Sequence, residues 1–245
     1  MSDWSALPPA LRDFAEDELI DGVLWQVKSG KEATVYVVYK DSERGRRLYA
    51  AKAYRDLEHR SFRRDEVYRQ ARVILDERVA RAVQRKTGFG RDVAFGMWVS
   101  EEATMLRRAL DGGASVPEVI AARGPTILME YIGDGKGPAP MLAELTLPRH
   151  EARDAYDTMM GDIEALLRAD IVHADLSPFN VLYWRGETVI IDMPQAVDAR
   201  LNQHARELLA RDVANVCRYF RQAGVESDAE AITAGLWARY ETARL

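Results

Sequence analysis

Short apolar runs separated by turn residues occupy the first half of the chain, and longer runs with helical spacing occupy the second half. In the first half, apolar positions predict a helix over residues 9–21 and another that contains Glu102. Strands are predicted at four places, which flank Gly30, flank Gly45, lie near Val119 and span residues 126–131. These elements predict a β-rich first lobe over residues 1–132.

A segment rich in Gly and Pro, residues 133–140, leads into a part of the chain in which helical spacing dominates. Four helices are predicted here, over residues 142–147, 149–169, 203–223 and 228–244. A strand hairpin over residues 181–191 interrupts them. The sequence therefore predicts an α+β fold whose second lobe, residues 133–245, is mainly helical.

Three polar residues, Asp175, Asn180 and Asp192, follow one another at the spacing of a kinase catalytic loop. In such a loop the first carboxylate orients the attacking hydroxyl, and the amide and second carboxylate hold magnesium on the nucleotide phosphates. The predicted hairpin would carry Asn180 and Asp192 to the same end. Taken one at a time, each residue is also explained as a turn cap or a strand end, and the combination favours a phosphoryl-transfer site.

A lysine, Lys52, lies inside the apolar strand-like run of residues 47–54, where an ammonium group needs an anionic partner. A nucleotide phosphate and a helix glutamate would supply one, and we choose Glu102 over Glu101 because it lies one turn before Leu106. In the alternative interpretation Lys52 extends to solvent from an edge strand.

The turn before the lysine strand, Ser29-Gly30-Lys31, occupies the position of a loop that covers a nucleotide. It contains one glycine where the G-x-G-x-x-G pattern has three, so the motif alone is a weak signal. An ordinary hairpin turn explains it equally well.

Segments distributed along the chain resemble the RIO family of atypical serine/threonine protein kinases. The resemblance extends over residues 21–225, in the same order throughout, at residues 29–36, 129–134, 138–142, 173–182, 190–198 and 211–220. It implies a two-lobed protein-kinase-like fold that lacks a long activation segment and peptide-docking helices. Too few residues separate Asp192 from the helix near Gln203 for such a segment, and no Ala-Pro-Glu follows.

The same resemblance implies roles for individual residues. Asp175 would be catalytic, and Asp192 would bind the metal ion and could form an aspartyl-phosphate intermediate. Asn180 would be the second metal ligand. The residues implied to bind the nucleotide are Ser29, Gly30, Lys31, Glu130, Ile132 and Lys52, with Glu102 as the partner of Lys52. Asp212 could anchor the catalytic loop through backbone N–H groups, although a helix-surface aspartate is the simpler interpretation.

The implied activity is an ATP-dependent serine/threonine kinase that uses Mg²⁺, or Mn²⁺, and phosphorylates itself. Two alternatives stay open. One is an ATPase-driven assembly switch in the maturation of a ribosomal subunit or another ribonucleoprotein, with little activity toward other proteins. The other is a small-molecule phosphotransferase, because aminoglycoside and choline kinases share the His-x-Asp-x-x-x-x-Asn loop pattern.

Composition agrees with a globular enzyme and restricts its partners. The net charge of −5 argues against bulk binding to nucleic acid, and no apolar stretch approaches the length of a membrane span. We therefore expect neither DNA nor a membrane among its partners. One cysteine and no visible signal peptide predict a cytoplasmic protein. Residues 55–91 mix Arg and Lys with Asp and Glu, which indicates a solvated helix face more than an RNA-binding surface. His173 is expected to be a packed, structural histidine.

Overall fold

The computed structural model describes residues 6–30, 32–55 and 88–245, with side chains from residue 99 onward in the last range. Most of the charged insertion, residues 56–87, and Lys31 therefore lie outside the described residues. The chain divides into two compact units. The first comprises Met1–Ala103 and Glu118–Tyr131, and the second comprises Thr104–Pro117 and Ile132–Leu245.

An antiparallel five-stranded sheet with the order β1-β2-β3-β5-β4 forms the centre of the first unit. Its strands are β1 (Gly22–Ser29), β2 (Ala33–Ser42), β3 (Gly45–Tyr54), β4 (Val119–Arg123) and β5 (Thr126–Glu130). Alternate residues of each strand point to the same face, so one face of the sheet can be apolar throughout. Strand β3 has neighbours on both sides, which makes it an interior strand.

A short helical segment covers the apolar face of this sheet. It consists of a 3-10 turn, Pro9–Leu11, and helix α1, Arg12–Glu16, and it buries Leu11 and Phe14 against Val38, Ala51 and Leu128.

The predicted helix over residues 9–21 is too long, because Glu18 has a left-handed backbone with φ 57°. The N–H groups of Leu19 and Ile20 then donate to the carbonyl of Phe14, at 2.8 and 3.3 Å, which closes the helix.

Helix α2, Gly88–Asp111, carries Glu102 and contributes to both units. The second unit contains three further helices, α3 (Arg149–Arg168), α4 (Ala205–Gln222) and α5 (Ala229–Glu241). Three short strand pairs accompany them: β6 (Gly133–Asp134) with β7 (Gly137–Pro138), β8 (Ile171–Val172) with β11 (Val197–Asp198), and β9 (Val181–Trp184) with β10 (Glu187–Ile190).

The helices of the second unit pack through aromatic and aliphatic side chains at helical spacing. The rings of Tyr156 on α3 and Phe220 on α4 meet edge to face at 5.6 Å. The predicted helix over residues 142–147 is reduced to a 3-10 turn, Leu142–Glu144, because Pro148 fixes the start of α3 immediately afterwards. Within the described residues, no helix has the length and apolar character needed to cross a membrane.

Candidate active site

The Lys52 ammonium and the Glu102 carboxylate form a close ion pair in the first unit. Lys52 Nζ lies 2.8 Å from Glu102 Oε1, and the two side chains are 12% and 1% exposed. Lys52 pairs with Val35 on one side and Ile127 on the other, so it projects from an interior strand. The alternative that Lys52 extends to solvent from an edge strand is wrong.

A tyrosine that the sequence reasoning missed completes this cluster. Tyr54 lies two residues after Lys52, on the same face of β3, and its hydroxyl donates to Glu102 Oε2. Burial raises the pKa of Tyr54 well above its usual value. The spacing Lys-x-Tyr within one strand was the available signal, but it does not reveal which helix residue both side chains meet.

The turn between β1 and β2 is closed by a hydrogen bond from the Gly30 N–H to the Ala33 carbonyl, at 2.9 Å. The guanidinium of Arg55 donates to the hydroxyls of Ser29 and Thr34, which ties the end of β3 to this turn. Ser29 and Gly30 therefore lie where β1 leads toward β2. The third predicted residue of this turn, Lys31, is outside the described part of the chain.

The two predicted hinge residues fall in different units. Glu130 ends β5 with an exposed side chain, and its N–H donates to the Glu118 carbonyl at 2.8 Å. Ile132 belongs to the second unit, where its carbonyl accepts from the Ala139 N–H at 2.9 Å.

The loop that carries Asp175 is held by a buried carboxylate on α4. Asp212 accepts the Ala174 N–H at 2.7 Å and the Leu176 N–H at 2.9 Å, so both neighbours of Asp175 are fixed by one side chain. Asp212 is 2% exposed. The anchoring interpretation is confirmed, and the simpler interpretation of a helix-surface aspartate is wrong.

Two more α4 side chains hold the carbonyls of the same two residues. Arg211 donates to the Ala174 carbonyl and Asn215 donates to the Leu176 carbonyl, each at 3.0 Å. Ala174 adopts a left-handed backbone with φ 64°, which costs energy for a residue with a Cβ. Helix α4 therefore maintains a strained turn around Asp175.

The environment of Asp212 changes its titration. Burial raises the pKa of its carboxyl from 3.8 to about 7, although the backbone N–H groups of Leu176 and Ala174 act in the opposite direction. Burial also raises the pKa of Asp162 on α3, whose carboxylate accepts the Ser115 N–H.

We expect stability to fall as the pH rises from about 5.5 to about 8, because the folded protein keeps a proton on Asp212 that the unfolded chain has released. This contribution is complete below the ordinary pKa of 3.8 and is lost as the pH passes about 7. Urea unfolding of the wild type and of Asp212→Asn at both pH values measures it, and the variant should show the smaller decline. An equal decline in the two proteins would contradict the assignment to Asp212.

A buried histidine connects the loop that carries Asp175 to the end of the β9–β10 hairpin. His173 is 1% exposed, its Nε2 lies 3.3 Å from the Ile191 carbonyl, and its Nδ1 lies 3.3 Å from the Asp175 nitrogen. These contacts fit a neutral ring that donates through Nε2 and accepts through Nδ1. His173 is packed as the sequence predicts.

The two proposed metal ligands lie at the same end of the β9–β10 hairpin, Asn180 just before β9 and Asp192 just after β10. The Ile191 N–H donates to the Asn180 carbonyl at 2.9 Å. Asp192 is the next residue in the chain, so this hydrogen bond brings the backbones of the two proposed ligands close together. The Asn180 amide nitrogen donates to the Asp175 carbonyl at 2.8 Å, so the amide oxygen is the atom of this side chain that could hold a metal ion. Two side-chain oxygens fit Mg²⁺, which usually keeps several waters and phosphate oxygens as ligands.

No group of three or more His, Cys, Asp or Glu side chains in the described ranges is arranged to hold a metal ion.

The segment after Asp192 returns directly to the strand that precedes the Asp175 loop. Val197 of β11 pairs with Val172 of β8, three residues before Asp175. Asp198 is held by Arg200 and Arg108, with shortest distances of 2.8 and 3.2 Å. Although burial opposes it, the hydrogen bonds from Arg200 keep the pKa of Asp198 below its ordinary value.

The arrangement of strands and helices matches that of solved kinases. The Rio2 kinase from Chaetomium thermophilum matches with a TM-score of 0.67 at 21% identity, covering 92% of this chain and 66% of that chain. The Rio2 kinase–ADP/Mg²⁺–phosphoaspartate complex from the same organism matches with a TM-score of 0.65 at 19% identity, covering 92% and 64%. The predicted protein-kinase-like α+β fold is confirmed.

Sequence comparison then identifies the family. A family model described as RIO domain matches residues 34–232. The RIO-type serine/threonine-protein kinase Rio1 of Haloferax volcanii is 30% identical over 223 residues, which cover 91% of this chain and 71% of the relative. Serine/threonine-protein kinase RIO3 of Mus musculus is 35% identical over 130 residues, which cover 53% of this chain and 25% of the relative. The chain belongs to the RIO family of serine/threonine protein kinases.

Proposed function

We propose that this protein transfers the γ-phosphate of ATP to serine or threonine hydroxyls, including its own, with Mg²⁺ as the metal ion. One observation carries the proposal. Asn180 is bonded through its side chain to the Asp175 carbonyl and through its own carbonyl to the residue before Asp192. The three residues that such chemistry requires are thus connected within one unit of the molecule.

Asp175 would orient the acceptor hydroxyl and take its proton as the oxygen attacks phosphorus. Its neighbours Ala174 and Leu176 have both their N–H and C=O groups bonded to α4. Positioning a reacting group in this way lowers the entropic part of the barrier.

Lys52 would bind the nucleotide phosphates, and Glu102 would keep its ammonium oriented. The nearly complete burial of Glu102 strengthens the attraction between the two charges compared with a surface pair. Ser29, Gly30 and Lys31 would contact the phosphates from the β1–β2 turn, and Glu130 and Ile132 would contact the adenine.

Asn180 and Asp192 would supply oxygen ligands to Mg²⁺ or Mn²⁺. A bound divalent ion supplies charge that offsets the negative phosphate oxygens. Asp192, two residues after the end of β10, has a left-handed backbone with φ 65°, which turns the chain at the proposed metal ligand.

Asp192 has a second proposed role, as a transient phosphate acceptor. One carboxylate oxygen would attack the γ-phosphorus, the bond to the bridging oxygen would break, and ADP would leave, which produces an acyl phosphate. The support is the related Rio2 complex, which is described as containing phosphoaspartate. Attack by water on the acyl phosphate would regenerate Asp192 and release phosphate, so this route also supports an ATPase-driven switch.

The protein substrate is proposed to be this protein itself or a partner presented by a larger assembly, such as a maturing ribosomal subunit. The support is the short connection after Asp192, residues 193–204, in which β11 is already paired with β8. This connection offers little chain for a separate peptide platform.

Incubation of the purified protein with ATP radiolabelled at the γ-phosphate, in Mg²⁺, tests these proposals together. We expect label on the protein, and the aspartyl-phosphate route predicts that neutral hydroxylamine removes part of it. Phosphoserine and phosphothreonine resist this reagent. Label that resists hydroxylamine completely and maps to Ser or Thr would exclude the aspartyl-phosphate route. Label that appears solely as free phosphate would favour the ATPase switch.

A further inference from the structure

The carboxylate of Glu102 has a second partner besides the lysine. Its Oε1 lies 2.8 Å from Lys52 Nζ, and its Oε2 accepts the hydroxyl of Tyr54. Both partners come from β3, two residues apart, so they project from the same face of that strand. Each carboxylate oxygen is therefore held by a different β3 side chain.

We propose that Tyr54 is a positioning residue for the reaction, because its hydroxyl fixes the carboxylate of Glu102 and thereby the ammonium of Lys52. This inference rests on the proposed function of Lys52 and assigns a part of the same site to a residue outside the kinase motifs.

A carboxylate held at one oxygen can rotate and carry the bonded ammonium with it. A second bond at the other oxygen removes this freedom, because both oxygens then have fixed directions. Glu102 is 2% exposed, so a lost partner could not readily be replaced by bulk water. The Tyr54 hydroxyl thus reduces the number of arrangements that the ion pair can adopt.

The ring of Tyr54 contributes as well. Lys52 Nζ lies 4.9 Å from the centroid of this ring, a distance at which the π face attracts a cation. Burial raises the pKa of the Tyr54 hydroxyl well above its usual value, so the hydroxyl keeps its proton and remains a donor at neutral pH. The ring and the hydroxyl therefore have separable effects. Tyr54→Phe removes the hydroxyl and keeps the ring.

The first test measures the accessibility of Lys52 without any nucleotide. Folded wild-type protein and Tyr54→Phe are treated with a limiting amount of an amine-acylating reagent, and the modification of Lys52 is followed by mass spectrometry. We expect Lys52 to react about five- to tenfold faster in Tyr54→Phe, because the ion pair separates more often. Tyr36→Phe is the matched control, since Tyr36 is partly buried in the same sheet and packs against the Leu11 and Phe14 cluster. It should react as the wild type does.

The second test asks whether the hydroxyl acts through Glu102. The Tyr54 hydroxyl also interacts directly with Lys52. In a Glu102→Ala background, adding Tyr54→Phe should therefore raise the rate of Lys52 modification much less than it does when Glu102 is present, because the route through the carboxylate is gone. An additive effect would overturn the proposal, as would equal rates in Tyr54→Phe and wild type. A Tyr54→Phe protein that did not fold would also overturn it, because the hydroxyl would then serve the fold instead of the lysine.

The kinetic consequence separates this proposal from the proposed function. If wild-type protein transfers phosphate, Tyr54→Phe should lower kcat/KM for ATP by about tenfold. If the wild-type protein transfers no phosphate at all, the proposed function is contradicted. The rate of Lys52 acylation would then still test whether Tyr54 positions Lys52. Active variants with kcat/KM equal to that of the wild type would contradict the positioning role alone.

Discussion

Replacement of Asp175 by alanine is expected to lower the rate of phosphoryl transfer by about 10²–10⁴-fold while nucleotide affinity stays nearly unchanged. The carboxylate is assigned to the acceptor hydroxyl, and no contact of Asp175 with the nucleotide is proposed. The loop should keep its conformation, because α4 bonds to the backbone of Ala174 and Leu176 and not to the Asp175 side chain.

Single-turnover transfer from radiolabelled ATP measures the rate, and calorimetry with ADP and Mg²⁺ measures the affinity. Asp154→Ala is a suitable control, since Asp154 is an exposed aspartate on α3 of the same unit. Autophosphorylation of Asp175→Ala within about threefold of the wild-type rate would show that Asp175 does not orient the acceptor. A large loss of nucleotide affinity would instead assign this residue to binding.

Local sequence patterns predicted the elements that carry the proposed site. The lysine inside an apolar strand, the Asp-Asn-Asp spacing and the β9–β10 hairpin depend on residues close together in the chain. Their physical requirements can therefore be recognised in short segments of the sequence. A buried ammonium needs a partner, and two metal ligands need a turn between them.

The contacts that support the site depend on residues far apart, and these were harder to predict. Tyr54 meets Glu102 across 48 residues, and Asn215 meets the Leu176 carbonyl across 39. Spacing within β3 or α4 cannot reveal such partners, because tertiary packing decides which elements meet.

The burial of Asp212 is visible in the spacing of apolar residues along α4. Asp212 lies four residues after Leu208 and four before Val216, which places it on the apolar face of α4. A charged residue on that face needs several hydrogen-bond donors, and the backbone of the catalytic loop supplies two of them.

The end of α1 shows a limit of a different kind. The apolar residues Leu19 and Ile20 continued the helical pattern, so the sequence predicted a helix as far as residue 21. The left-handed backbone of Glu18 ends it earlier, and Ile20 reaches the core from the segment after the helix. A residue other than Gly at such a position gives almost no warning in the sequence.

Replacement of Asp192 by alanine is expected to remove the effect of Mg²⁺ on nucleotide affinity and to abolish phosphorylation of the protein. Asp192 is proposed both as a metal ligand and as the acceptor in an acyl phosphate, so one substitution removes both functions. Asn180→Ala provides the matched comparison, because Asn180 is proposed as a ligand at the same end of the hairpin but has no carboxylate to accept phosphate.

Calorimetric titration with ADP, with and without Mg²⁺, measures the metal-linked gain in affinity in each protein. We expect this gain to be lost in Asp192→Ala, because only Asp192 brings a negative charge to the cation. In Asn180→Ala the gain should be reduced but still present, because Asp192 remains as a ligand. Hydroxylamine-sensitive label should persist at a lower level in Asn180→Ala and be absent from Asp192→Ala. The same metal-linked gain in Asp192→Ala as in the wild type would remove Asp192 from the metal site. Hydroxylamine-sensitive label in Asp192→Ala would place the acyl phosphate on another carboxylate.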